Sequence, residues 1–355
     1  MTTLFASVAS RLGGVLDDAI VETVYKRFPR KRREGARPVE PGDARERLAE
    51  TIAYYGQPEV EARFFVRPPA PRVFEERRGK LPDGGSLVDL KWASPFEPTW
   101  ELVREHYLAH APNRFSHARM LRHAEAAPTI VCLHGFGGGQ FLFEEHAFPS
   151  RWLYSLGLNV VLLTLPFHGK RRGEGAPMWP YGGHIPRTNE GFAHAIFDTR
   201  ALIAWLDATQ GREVAVIGMS LGGYTASLLA TVEPLRFVVP MIPVASFPDV
   251  MWTIARGTPE RAQVERDGVT LDWFRQSMRV CAPLERTPLA TGERVLVVSA
   301  EGDRIAPPEH ASKLAAHFSA EQLRFTGGHV LQIGRGVAFR ALESRLARLG
   351  FIDRK

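Results

Sequence analysis

The chain has 355 residues, 45% of them hydrophobic and 24% charged, the proportions of a soluble globular protein with enough apolar material for one large domain or two. Its formal charge of +6 is local: seven basic residues and one acid lie between Lys26 and Arg37, leaving 38 of the 45 basic residues against 38 of the 39 acidic ones, a balance that argues against a nucleic-acid surface. Two cysteines, Cys132 and Cys281, make neither a disulfide framework nor a zinc site, and no apolar run approaches the about 20 residues that a bilayer-spanning helix needs.

Residues 1–70 read as a helical extension. Leu4, Phe5, Val8, Leu12, Val15, Leu16, Ile20 and Val24 recur every three to four positions, which predicts an amphipathic helix ended by Pro29. Arg11 and the pair Asp17–Asp18 interrupt what would have to be the apolar core of a secretory peptide, so a cytoplasmic location is expected. The apolar stripe followed by the basic run suits peripheral contact of residues 1–37 with an anionic membrane. The other reading is a helix packed on the body with a solvated linker, and Asp17, Asp18 and Glu22 weaken attraction to lipid. Asp43 then caps a second helix through Tyr55.

After the proline-rich stretch Arg67 to Arg72, the body of the chain (71–355) opens with two strands between Val73 and Trp92, joined at Asp83-Gly84-Gly85. A short helix near Trp100 to His110 follows. Strand-like runs then alternate with helix-length segments: Pro128–His134, Asn159–Leu165, Glu213–Gly218, Arg236–Ile242, Arg294–Ala300 and Gln322–Thr326, with a helix expected over Thr188–Thr209. These runs are continuous rather than alternating, as in parallel strands buried on both faces, and predict a doubly wound, mostly parallel α/β sheet. Residues 248–293 break the alternation with helical character and bulky apolar side chains, including Trp252, and are expected to form a small helical cap or to join the core.

Chemistry concentrates where the predicted strands end. Ser220 stands in GMSLGG between a strand and a helix, the Gly-x-Ser-x-Gly turn that exposes a serine hydroxyl at a helix N-terminus. A serine needs a base and a carboxylate to orient it. The loop EGDRIAPPEH offers Asp303, with Glu301 and the more distant Asp249 as competitors, and TGGHVLQIG offers His329. The glycine-rich HGFGGGQ follows the first parallel strand and supplies backbone N–H groups for an oxyanion, those of Phe136 or Gly137 together with Leu221. It has neither nucleotide-loop spacing nor a P-loop lysine, and the histidines show no metal-ligand spacing, so no cofactor or metal is expected. His168 and Arg171, beside Lys170 and Arg172, stand at a strand end and are candidates for binding an acidic group of the substrate, against the alternative of solvated loop charges; Gly137 and Trp252 are further candidates for lining the pocket.

HGFGGG, GMSLGGY, SAEGDRIAPP and TGGHVLQIG together resemble the oxyanion loop, nucleophile elbow, acid loop and histidine loop of the α/β-hydrolase superfamily. LPFHGKRR and VVPMIPVASF resemble a poorly characterised branch of its abhydrolase-domain proteins, with the departure that many relatives carry an acidic residue and glycine within the stretch Thr164 to Gly169. The resemblance implies Ser220 as nucleophile, His329 as base and Asp303 as orienting acid, acting on an ester or related bond of a small-molecule or lipid acyl substrate. A non-catalytic scaffold on the same fold and an acyltransferase with the same triad are the alternatives.

Overall fold

The computed structural model describes residues 3–23, 43–173, 184–211 and 213–353; the basic segment Lys26 to Arg37 lies outside them. Three helices come first, α1 (Thr3–Ile20), α2 (Asp43–Tyr55) and α3 (Pro58–Arg63). Strands β1 (Phe74–Lys80) and β2 (Ser86–Ala93) then pair antiparallel around a turn in which Asp83 and Gly84 adopt φ of 55° and 74°. Helix α4 (Glu101–Leu108) follows.

The structure then adds a strand absent from the sequence reading. β3 (Phe115–Arg122) lies antiparallel to β2 on one side and to β5 on the other. Its buried residues include Ser116 and Ala118, so alternation is carried by small side chains and gives little hydrophobic signal.

From β4 (Thr129–Leu133) onward the apolar runs become parallel strands. α5 (Phe141–Ala147) and α6 (Ser150–Ser155) lead to β5 (Asn159–Leu163), and α7 (Ile185–Gln210) to β6 (Val214–Met219). α8 (Leu221–Leu229) leads to β7 (Phe237–Met241). The insertion folds as α9 (Phe247–Ile254), α10 (Pro259–Arg266) and α11 (Leu271–Ser277) before β8 (Leu296–Ala300), α12 (Pro308–His317), β9 (Glu321–Phe325) and α13 (Gly336–Arg348). The nine strands form one sheet in the order β1-β2-β3-β5-β4-β6-β7-β8-β9.

Alternation within each apolar run divides the core into two layers. Val131, Leu133, Val216, Val238 and Val297 face α7, α8 and α12, while Ile130, Cys132, Ile217, Val239 and Val298 face α6 and α13. Both cysteines are buried and unbridged. The N-terminal helices join this body. α2 packs on α11 with the Arg45 guanidinium 5.1 Å from the Trp273 ring, and the Tyr55 hydroxyl donates to Glu190 of α7 at 2.9 Å. Among the described residues no helix is long and apolar enough to cross a membrane.

Candidate active site

Ser220 occupies the one-residue turn between β6 and α8, with φ 55° and ψ −111°, a region that side chains rarely adopt and that costs on the order of 1–3 kcal/mol. Its neighbours make the turn possible. A Cβ on Gly218 would stand 2.0 Å from the Gly222 carbonyl oxygen, and one on Gly222 would stand 1.9 Å from that of Leu133. The two glycines thus let β6 turn directly into α8 against the end of β4. The Ser220 amide is tied to the carbonyl of Met241, so the strain is held by the sheet itself.

His329 and Asp303 arrive from the carboxyl ends of β9 and β8. The Ser220 Oγ lies 2.7 Å from His329 Nε2, and His329 Nδ1 lies 2.7 Å from Asp303 Oδ2. The other carboxylate oxygen of Asp303 accepts from the backbone amides of Ile305 at 3.0 Å and Ala306 at 2.7 Å, which fixes the carboxylate plane. With Nδ1–H donated to Asp303, Nε2 carries the lone pair toward the serine. Burial alone would push the His329 imidazole down. The adjacent Asp303 charge and its hydrogen bond, with a further contribution from Asp17, outweigh burial and hold it above its ordinary value.

The loop after β4 runs alongside the serine: a Cβ on Gly135 would stand 3.5 Å from the Ser220 Cβ. Phe136 and Gly137 follow in that loop. Gly137 has φ of +82° and open space where a side chain would be. Leu221 is the first residue of α8, where an amide has no intrahelical acceptor. His134 anchors the loop from behind. Its Nδ1–H donates to the Gly135 carbonyl at 2.8 Å and its Nε2 accepts from the Leu165 amide at 3.0 Å, so the ring serves as a neutral brace. Burial pushes its pKa down to about 4, in keeping with that role. The buried Glu144 of α5 accepts from the Gly139 amide at 2.9 Å and closes the far end of the loop.

Ser220, Asp303, His329, Phe136, Leu221 and Gly137 therefore meet at one edge of the sheet. Other predicted residues do not. Arg171, expected at a pocket mouth, is fully buried; its guanidinium forms an ion pair with Asp198 at 2.7 Å and donates to the carbonyls of Thr164 and Asn113. A cation already neutralised in the core is not offered to a substrate, so this assignment is corrected. His168 is equally buried, its Nδ1 bonded to the Pro166 carbonyl and its ring edge-on to His134 and to Phe136 of the loop after β4, so it is not presented at a pocket mouth. Trp252 lies on α9 with the Arg261 guanidinium 4.3 Å from its ring and Phe274 beside it, contacts internal to the insertion. Asp249 pairs with Arg275 at 2.7 Å, and Glu301 is exposed. Neither competitor takes the place of Asp303 on His329.

Sequence reading missed two groups. The first is the partner set of Arg171: His194 and Asp198 on α7, with Ser94, Tyr107 and Asn113 around them. Its signal was present as Glu190, His194 and Asp198 at four-residue spacing, one face of the helix. The second is Asp17 of α1, fully buried against the His329 loop.

The sheet order, the strained serine turn and the loops gathered at the carboxyl ends of β4, β6, β8 and β9 define an α/β-hydrolase fold. The profile of the alpha/beta hydrolase family matches residues 130–342, and the chain belongs to that family. It is 29% identical over 338 residues to an uncharacterized protein of Mycobacterium tuberculosis, in strains H37Rv and CDC 1551, spanning 89% of this chain and 79% of the relative. Among solved structures, acetyl xylan esterase 1 from Thermoanaerobacterium sp. superposes with a TM-score of 0.57 at 17% identity, over 87% of this chain and 94% of that one. At that identity the likeness speaks to the fold alone.

Proposed function

We propose that the protein is a serine hydrolase that cleaves an ester or related acyl bond through an acyl-enzyme. The observation that carries this reading is the unbroken line of 2.7 Å contacts from Ser220 Oγ through His329 to Asp303. Ser220 attacks the substrate carbonyl while His329 Nε2 takes its proton, and Asp303 stabilises the imidazolium that forms. The amides of Phe136 and Leu221 receive the developing oxyanion. The imidazolium then protonates the leaving group, and water, deprotonated in turn by His329, releases the acyl chain and restores the serine. Elements flanking the serine expose apolar side chains, Leu142 and Phe143 on α5 and Val330 and Leu331 beside His329, which favours an acyl substrate with an apolar portion.

The direct test is labelling with a fluorophosphonate probe. The wild-type chain is expected to be labelled at Ser220 and the Ser220→Ala variant not at all. Labelling that persists in the variant, or never occurs in the wild type, removes the proposal. A pH profile gives a second check. The base must be neutral to act, and His329 is held above the ordinary imidazole value of 6.5. kcat/KM for an activated ester is therefore expected to rise with pH through a midpoint above 6.5. A midpoint at or below the ordinary value would contradict His329 as the base.

A further inference from the structure

The N-terminal helix lies directly on the two loops that carry Asp303 and His329. A Cβ on Gly13 would stand 2.1 Å from the Gly328 amide nitrogen, and one on Gly302 would stand 2.1 Å from the Ser10 carbonyl oxygen, so helix and loops meet backbone to backbone. Glycine inside a helix costs roughly 1 kcal/mol against alanine, and here the close approach gives the reason for it. Into this contact α1 inserts Asp17, none of whose surface is exposed. One carboxylate oxygen accepts from the His329 amide at 2.8 Å and from the Arg304 amide at 3.1 Å; the other accepts from the Val330 amide at 3.0 Å. Three backbone N–H groups from two loops thus converge on one carboxylate. The loops also join each other, through the Gly302 amide and the Gly327 carbonyl at 2.7 Å. On the outer side, Asp18 pairs with the Arg304 guanidinium and the Ser10 hydroxyl donates to Glu301 at 3.4 Å.

We propose that Asp17 is a positioning residue of the active site, the buried clamp that locks the acid and histidine loops together and holds the His329 imidazole between Asp303 and Ser220. The inference rests on the roles given above to those three residues. It makes the N-terminal helix part of the working enzyme, and it separates the helix's two faces: the clamp on one, and on the other the exposed Val8, Leu12 and Val15. A charged carboxylate is needed in this place because an amide side chain offers one acceptor oxygen where three donors converge, and its NH₂ would confront a backbone N–H.

The test uses full-length Asp17→Asn, with Asp18→Asn as a control that removes a neighbouring charge outside the clamp. Asp17→Asn is expected to lower kcat by about 10–100-fold, because the imidazole loses its orientation. Asp18→Asn is expected to change kcat by no more than about twofold. The charges that face His329 are Asp303 from the β8 loop and Asp17 from α1, with Arg304 alongside but paired to Asp18. Removing one of two negative charges should move the acid limb of the kcat/KM profile to lower pH, and should move the His329 ring titration followed by NMR in the same direction. A purely structural role would change the melting temperature without moving that titration. The NMR readout does not require turnover, so it judges Asp17 even if fluorophosphonate labelling shows Ser220 not to be the nucleophile. Should Asp17→Asn fail to fold, Gly13→Ala, which leaves the charge but pushes the helix off Gly328, is expected to show the same fall in kcat. A folded Asp17→Asn chain with wild-type kcat and an unmoved His329 titration overturns the proposal.

Discussion

Exchanging Asp303 for asparagine is expected to lower kcat for an activated ester about 10⁴-fold while leaving the fold intact. The size follows from the hydrogen bonds around the carboxylate. Its Oδ1 is already committed to the amides of Ile305 and Ala306, so the asparagine oxygen would remain there and its NH₂ would face His329 Nδ1. Nδ1 must then accept, which puts the ring proton on Nε2, pointing at Ser220. In that tautomer His329 donates to the serine and cannot remove its proton. Loss of the Asp303 charge also removes the main influence that lifts the imidazole above its ordinary value, so the acid limb should move to lower pH as the rate falls. KM should change little. Steady-state kinetics across pH, with circular dichroism to establish folding, separate this outcome from simple unfolding; a variant within tenfold of wild-type kcat would show that Asp303 does not orient the base.

Arg171→Ala is expected to destabilise the protein by about 3–5 kcal/mol, the cost of leaving one charge of a buried pair without its partner. Arg171 and Asp198 are both essentially inaccessible, and the carboxylate is held further by Ser94 at 2.6 Å and His194 at 3.1 Å. Burial would push the Asp198 carboxyl up, but the Arg171 guanidinium and His194 outweigh it and hold the carboxyl well below the usual range. A depressed carboxylate contributes stability above its unfolded value near 4 and loses it as pH falls through the folded value. The difference between wild type and variant in urea titrations should therefore be full at neutral pH and narrow only in strong acid. The double change Arg171→Met with Asp198→Leu should recover much of the loss, since two apolar side chains leave no stranded charge. A loss under about 1 kcal/mol in the single variant would mean that Asp198 finds another partner or takes up a proton without penalty.

How much of this was legible in the sequence depended on range. The five strands from β4 to β8 each appear as an apolar run because both faces of the sheet are covered, and a continuous run needs no knowledge of its partners; β9, at the sheet edge, buries only Phe325 and carries a weaker signal. Ser220, Asp303 and His329 could be picked out because each stands just beyond such a run, where this architecture concentrates its loops. β3 escaped because its buried positions begin with Ser116 and Ala118, which read as polar or neutral, and because its burial depends on β2 and β5 on either side. Arg171 read as a loop charge because its partner Asp198 stands on a separate element, α7, and nothing next to Arg171 in the chain marks the pairing. Asp17 read as a weak point in a lipid-binding helix for the same reason. A carboxylate whose three donors are contributed by residues 304, 329 and 330 leaves no local trace, apart from the two glycines, Gly13 and Gly14, that no free helix would favour.

The 312 residues that separate Asp17 from His329 also measure time. At the usual pace of translation they correspond to about 15–60 s during which the carboxylate exists and the amides it binds do not. Throughout that interval the helix can neither place Asp17 on those amides nor lay Gly13 against Gly328. On the roles proposed above, the clamp therefore closes only after residue 330 has been made, long after Ser220 itself.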